Sequence, residues 1–169
     1  FRDTATGETT RISVSSAESQ GNGDCAEADV SADGRYVVFR SDASNLVAGD
    51  GNGVKDIFLR DTLAGTTVRV SVDSSGAEGN GGSWMPSISA DGRFVAFYSD
   101  ATNLVAGDTN GTADIFLHDT QTGATTRVSV SSSGTQSNGA SFSPELSADG
   151  RYVTFESLAN NLVADDTNG

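Results

Sequence analysis

The nine residues Ser89-Ala90-Asp91-Gly92-Arg93-Phe94-Val95-Ala96-Phe97 constrain this chain more than any other stretch, because they recur at one fixed spacing. SADGRYVVF begins at Ser31, SADGRFVAF at Ser89 and SADGRYVTF at Ser147, so the copies lie 58 residues apart. A period of this size marks one supersecondary unit copied along the chain, and one such unit cannot bury its apolar face alone. With 20 glycines in 169 residues, a lone copy is a poor candidate for independent folding. One domain over residues 1–169 sharing a core is therefore expected.

In the middle copy, Gly82 to Ser89 carries a short strand A that runs into Asp91-Gly92, a dipeptide that favours tight hairpin turns. Strand B, Arg93 to Ser99, is nearly continuous in apolar and aromatic residues, the pattern of a strand covered on both faces. An irregular stretch over 100–113 leads to strand C, Asp114 to Asp119, and Thr120-Gln121-Thr122-Gly123 reverses the chain. Strand D, Thr125 to Val130, puts Thr126, Val128 and Val130 on one face and Thr125, Arg127 and Ser129 on the other. Val68, Val70 and Val72 repeat the alternation, as do Thr10, Ile12 and Val14, and such a period marks a half-exposed outer strand. Each copy thus predicts a four-stranded antiparallel meander, a propeller blade, and no window carries the apolar stripe of a helix.

The order P-x-[IL]-S-x-D-G-R-[YF]-V-x-F, then D-I-F-L-x-D, then T-G-x-T-x-R-V-S-V resembles the TolB-like (WD40-like) β-propeller repeat of bacteria. It covers nearly the whole chain in three copies, and the first departs from it with Ala28 in place of Pro86 and Pro144. The resemblance implies an all-β propeller with six or more blades to a ring, in proteins that serve mostly as binding or scaffold modules and are sometimes fused to enzymes.

The repeats run approximately over 1–58, 59–116 and 117–169. Phe1 aligns with Leu59 and Leu117 inside strand C, and Gly169 aligns with Gly111 just before one. A C-D pair at the N-terminus and an A-B pair at the C-terminus are therefore expected to be orphans. Propellers close with about four to eight blades, so three blade-equivalents read as half of a six-bladed ring. Either the chain is a segment of a longer propeller, or a homodimer completes the ring. The homodimer, which leaves no strand edge exposed and obeys closed two-fold symmetry, is the expectation.

A net charge of −13, with ten Lys and Arg spread singly, argues against nucleic acid or an anionic membrane as partner and makes a cation the more natural one. Apolar runs of about five residues fall far short of the ~20 that cross a bilayer. No charged segment followed by an apolar one occurs, so any export signal lies outside these residues. The single Cys25, with Ser83 and Ser141 in the other copies, reads as a small residue in a tolerant position. Few lysines and many Asp, Gly, Ser and Thr suit an exported bacterial protein, secreted or periplasmic.

The loop between strands B and C carries the sharpest constellation. Asp50, Asn52 and Asp56 recur as Asp108, Asn110 and Asp114, and the third copy shows Asp166 and Asn168 before its closing acid. Alternating Asp and Asn oxygens on a Gly-bent loop offer the six to eight hard ligands that calcium takes. The spacing resembles the cation loop of the FG-GAP propeller repeat, though shorter by one Asp-Gly pair. The bland alternative is that these residues make Asx-turns and cap a strand. A third site, lacking its closing acid, is expected to be defective or built differently.

Leu46-Val47, Leu104-Val105 and Leu162-Val163 are expected to tuck that loop onto the blade. Asp33, Asp91 and Asp149 are assigned to the A-B turn, and Asp3, Asp61 and Asp119 to the C-D turn. Arg35, Arg93 and Arg151 are expected to pair with nearby acids at ~0–1 kcal/mol each. Antiparallel order puts the long B-C and D-A connections on one face, with the turns Asn22-Gly23, Asn80-Gly81 and Asn138-Gly139 and the variable positions Ala26, Trp84 and Phe142. Trp84 and Phe142 there either bind a glycan or protein ligand or fill a blade junction.

Catalysis has little support. His118 is the only histidine and its counterparts are Arg60 and Arg2, and neither a Ser-His-Asp set nor a phosphate-binding glycine loop occurs. The leading expectation is a non-catalytic binding or assembly module with calcium in its B-C loops. The alternatives are a lectin-like propeller, and a hydrolase or lyase using Asp29, Ser87 and Glu145 at a central channel.

Overall fold

The computed structural model describes residues 1–166, and among them the chain is all β with no helix. Asn168, assigned above to the third loop, lies outside the described residues. The strands β1 (Cys25–Val30), β2 (Tyr36–Ser41), β3 (Asp56–Asp61) and β4 (Thr66–Arg69) form one sheet in chain order. A second sheet repeats it with β5 (Ser83–Ile88), β6 (Phe94–Ser99), β7 (Asp114–Asp119) and β8 (Thr125–Arg127). The strands β9 (Ser141–Leu146) and β10 (Val153–Ser157) pair alone. Every pairing is antiparallel. The N-terminal C-D segment is a loose hairpin, with a bridge between Arg2 and Thr9 and a bond from Thr10 N–H to Phe1 O at 2.9 Å.

The SADGR turns form as the sequence dictates, with one difference from a two-residue hairpin. Gly92 N–H donates to Ser89 O at 2.9 Å, and Gly92 then takes φ +75°, so a β-turn is followed by a left-handed residue. Asp91 fixes it by accepting from Ser89 Oγ at 2.6 Å and from Arg93 N–H at 3.0 Å. In the C-D turn Asp61 accepts the N–H of Leu63 and of Ala64, each at 3.0 Å. Arg35 clamps the same carboxylate at 2.7 Å, and Arg93 clamps Asp119 at 2.8 Å.

Strand B is covered on both faces in the first two copies, whereas in β10 its residues alternate between half-buried and exposed. Val38 packs in a core with Ile57, Ile88, Val95, Phe97 and Phe116 between the two full sheets, whereas Val37 and Phe39 pack with Ile12, Leu46 and Phe58 on the other side. Leu46 and Leu104 are each 1% exposed, so both loops are tucked in as their sequence requires, while Leu162 is half-buried and Val163 exposed.

Strand D departs from expectation in length and in orientation. The ladder ends at Arg69 and Arg127, because Ile57 N–H and Ile115 N–H turn to the hydroxyls of Ser71 and Ser129, each at 3.1 Å. The polar face is buried at Thr67 and Ser71, and of the apolar face Val70 is 1% exposed in the core while Val68 is 49% exposed.

Successive sheets pack through their first strands, β5 across β1 to β3 and β9 across β5 to β7. Each of β1, β5 and β9 is bent at a repeated position, where Glu27, Met85 and Ser143 have φ of 53°, 48° and 52°. The register against the second strand shifts at the same place.

Candidate functional site

The long connections lie together at the end where β1, β5 and β9 begin. The Asn-Gly turns lock the B-C loops there: Asn22 N–H donates to Asn45 Oδ1 at 2.9 Å, and Asn80 and Asn138 repeat the bond with Asn103 and Asn161. The following glycine is required by crowding, since a β-carbon on Gly81 would lie 2.7 Å from Ala101 N.

The fold brings Asp50, Asn52 and Asp56 together, and it brings an arginine to the same point. One nitrogen of Arg69 lies 3.6 Å from Asp50, 3.0 Å from Asp56 and 2.7 Å from Glu78. The other oxygen of Asp56 accepts Ser71 Oγ–H at 2.6 Å. Asn52 presents its amide N–H to Asp56 at 2.9 Å and to Gly79 O at 3.0 Å, while its oxygen accepts Val54 N–H at 3.2 Å. The second loop repeats the design: Arg127 meets Asp108 at 3.2 Å and Asp114 at 3.4 Å, and Ser129 and Ser137 donate to Asp114. Burial, with Asp56 or Asp114 beside them, pushes the Asp50 and Asp108 carboxyls up, against the pull of Arg69 or Arg127. Asp166, in the third loop, is partly buried.

Trp84 and Phe142 are half-buried and share one neighbour. Trp84 stacks on Tyr98 at 5.2 Å, and Phe142 meets the same ring edge-on at 5.4 Å. Beside the indole lies a depression of about 300 Å³ lined by Asp42, Gly53, Val54, Lys55, Gly82 and Trp84. The sequence pointed to Trp84 but not to Tyr98, Asp42 or Lys55. Their common signal is that each differs from its counterpart in at least one other copy: Tyr98 replaces Arg40, Lys55 becomes Ala113, and Asp42 becomes Leu158.

Asp29, Ser87 and Glu145 do meet along the first strands, with Ser87 Oγ 3.4 Å from Glu145 Oε2. Asp29 and Ser87 are also engaged by backbone, accepting Ile88 N–H at 2.9 Å and Leu146 N–H at 3.1 Å. His118 is a packing residue: it is 6% exposed, its Nδ1 lies 2.9 Å from Thr125 Oγ1, and burial pushes its pKa down. Arg60 holds the matching Thr67 and, in addition, Glu18, whose counterpart beside His118 is Gly76. Cys25 Sγ lies 3.2 Å from Ser41 Oγ, the contact that Ser83 makes with Ser99.

The fold resembles that of solved structures, two of which are described as TolB. TolB from Acinetobacter baumannii superposes with TM-score 0.50 and 20% identity over 83% of this chain and 28% of its own. A protein described as a TolB of Agrobacterium tumefaciens does so with TM-score 0.50 and 19% identity over 93% of this chain and 49% of its own. The chain thus spans less than half of either structure, and the fold is TolB-like. No protein-family model and no curated protein matches the sequence.

Proposed function

We propose that the chain is a non-catalytic binding module of an exported bacterial protein, with its ligand surface on the long-loop face around Trp84. The observation that carries this reading is where the copies disagree. The turns, arginine clamps and core residues repeat from blade to blade, whereas Trp84, Tyr98, Asp42 and Lys55 vary and gather where the first two sheets meet, with Phe142 of the third sheet against the edge of Tyr98. A flat aromatic face beside one carboxylate and one ammonium suits a saccharide, whose ring stacks while its hydroxyls bond to both. Hydrolysis at the first strands is disfavoured, because Asp29 and Ser87 already hold neighbouring backbone.

In this reading the B-C loops are latched by arginine. Asn52 and Ser71 turn donors, not oxygens, toward Asp56, and the Arg69 guanidinium sits among the three acids, so the residues present do not fit calcium as arranged.

The ligand reading is tested on a glycan array, followed by calorimetry on the best saccharide. Saturable binding without release of product is expected, weakened about tenfold or more in Trp84→Ala, as for loss of a stacked ring. Turnover of the sugar, or binding unchanged in Trp84→Ala, would refute it.

A further inference from the structure

Lys55 is the one lysine in a chain of 23 acids and ten basic residues, and Trp84 is its one tryptophan. The fold sets both in the depression beside the indole, which Asp42, Gly53, Val54 and Gly82 complete. The backbone of Lys55 has a structural duty that needs no ammonium. Its carbonyl accepts Ser83 N–H at 2.8 Å, stitching the first B-C loop to the start of β5, and one repeat on the Ala113 carbonyl accepts Ser141 N–H at 2.8 Å. At that second junction Asp100, Ala113 and Phe142 stand where the first has Asp42, Lys55 and Trp84. The acid is thus common to both junctions, whereas the ammonium occurs only with the indole.

Lys55 is half-buried and forms no ion pair among the described residues, although Arg35, Arg40, Arg60, Arg69, Arg93 and Arg127 each find an acid there. Asp42 shares the depression without pairing to it, and its Oδ1 instead accepts Asp24 N–H at 2.6 Å. An ammonium partly withdrawn from water with no counter-charge is costly, and an anion brought by a ligand offsets that cost. The surroundings leave room for one. A β-carbon on Gly53 would meet nothing within 4 Å, whereas one on Gly82 would fall 2.5 Å from the indole, so the ring lies on bare backbone while the loop beside it stays open.

We propose that the ligand of this site is an anionic saccharide, whose ring stacks on Trp84 while a carboxylate or sulfate on it pairs with Lys55. This rests on the saccharide reading above and adds the ligand's charge to it. The indole offers area to any sugar, so discrimination between a charged sugar and its neutral parent falls to Lys55. A lysine acts as a point charge without the fork of an arginine, and it takes either anion. The net charge of −13 opposes an anion at long range, so the preference comes from contact with this one ammonium and goes when the ammonium goes.

The test uses the single tryptophan, whose emission reports on the site directly. Methyl glucoside, methyl glucuronide and a sulfated methyl glucoside are titrated into the wild-type chain. Either anionic sugar is expected to bind about tenfold more tightly than the neutral one, as for a hydrogen bond to a charged group. Lys55→Met, which keeps the apolar stem, is expected to bring the three affinities within about twofold of one another, and Lys55→Arg to keep the preference. With one lysine in the chain, the ε-carbon resonance of Lys55 in lysine-labelled protein is unambiguous, and it is expected to shift on titration with an anionic sugar. Equal wild-type affinities for all three sugars, or a preference that survives Lys55→Met, overturns the proposal. Circular dichroism checks that Lys55→Met is folded, and if it is not, Lys55→Ala, with the residue of the second copy, replaces it. Saturable binding of all three sugars without preference refutes the charge assignment and leaves the Trp84 reading standing. Emission unmoved by every sugar refutes the saccharide reading itself, and this proposal with it.

Discussion

Aspartates in this chain do opposite things according to what surrounds them. Asp61 and Asp119 sit in C-D turns, where the Arg35 or Arg93 clamp, aided by turn N–H groups, holds their carboxyls low, Asp61 at about 2 and Asp119 lower still. A depressed folded-state pKa contributes stability that is present above the ordinary carboxylate value and lost as pH falls through the folded one. Asp108 is the reverse case, raised by burial beside Asp114, so its contribution is largest in acid and is lost as pH rises through its raised value. At pH 7 Asp119→Asn is expected to cost about 1–2 kcal/mol in urea unfolding, a deficit that shrinks below about pH 4. Asp108→Asn leaves Arg127 facing Asp114, one charge against one, and is expected to fall within ~0.5 kcal/mol of wild type or to stabilise. Equal losses in the two variants would contradict this division.

At the scale of the element, the B-C loop and strand D form one unit, because Arg69 reaches from the strand to Asp50 and Asp56 of the loop. Arg69→Met leaves Asp56, whose side chain is 1% exposed, with an uncompensated charge, and is expected to destabilise by about 3–5 kcal/mol. Melting temperature is expected to be unchanged in wild type by a chelator or by millimolar calcium, whereas calcium should raise it in Arg69→Met. A wild-type melt lowered by the chelator would show that the loop needs metal. The loop acids were legible in the sequence, and so were strand C from Asp114 to Asp119 and the burial of strand B, since each rests on a local pattern. The buried face of strand D was not. Alternation separates Val68 and Val70 from Thr67 and Arg69, but it cannot say that carboxylates wait on the inner side. Only pairing across the fold buries Thr67 and Ser71 of the polar face as well as Val70 of the apolar one. Trp84 was legible for its bulk, whereas Tyr98 reaches it only through the register of β5 on β6, and Lys55 comes from the B-C loop of the preceding repeat.

At the scale of the whole molecule, stability depends on how each blade is keyed to the next, and the SADG glycines are where this is measurable. Gly92 and Gly123 both have φ +75°, so alanine at either position meets the same left-handed backbone penalty of about 1–2 kcal/mol. Their surroundings differ: a β-carbon on Gly123 meets nothing within 4 Å, whereas one on Gly92 falls 2.1 Å from the Tyr36 ring of the preceding blade. Tyr36 packs against the core between the two full sheets, so the ring cannot swing away without opening that core. Gly92→Ala is therefore expected to be less stable than Gly123→Ala by a further ~1–3 kcal/mol, the cost of forcing packed groups apart. Combining Gly92→Ala with Tyr36→Ala should remove that excess, because the clash needs both side chains, and the double-mutant cycle measures the coupling. If Gly92→Ala and Gly123→Ala unfold at the same urea concentration, the ring-on-glycine contact does not key one blade to the next.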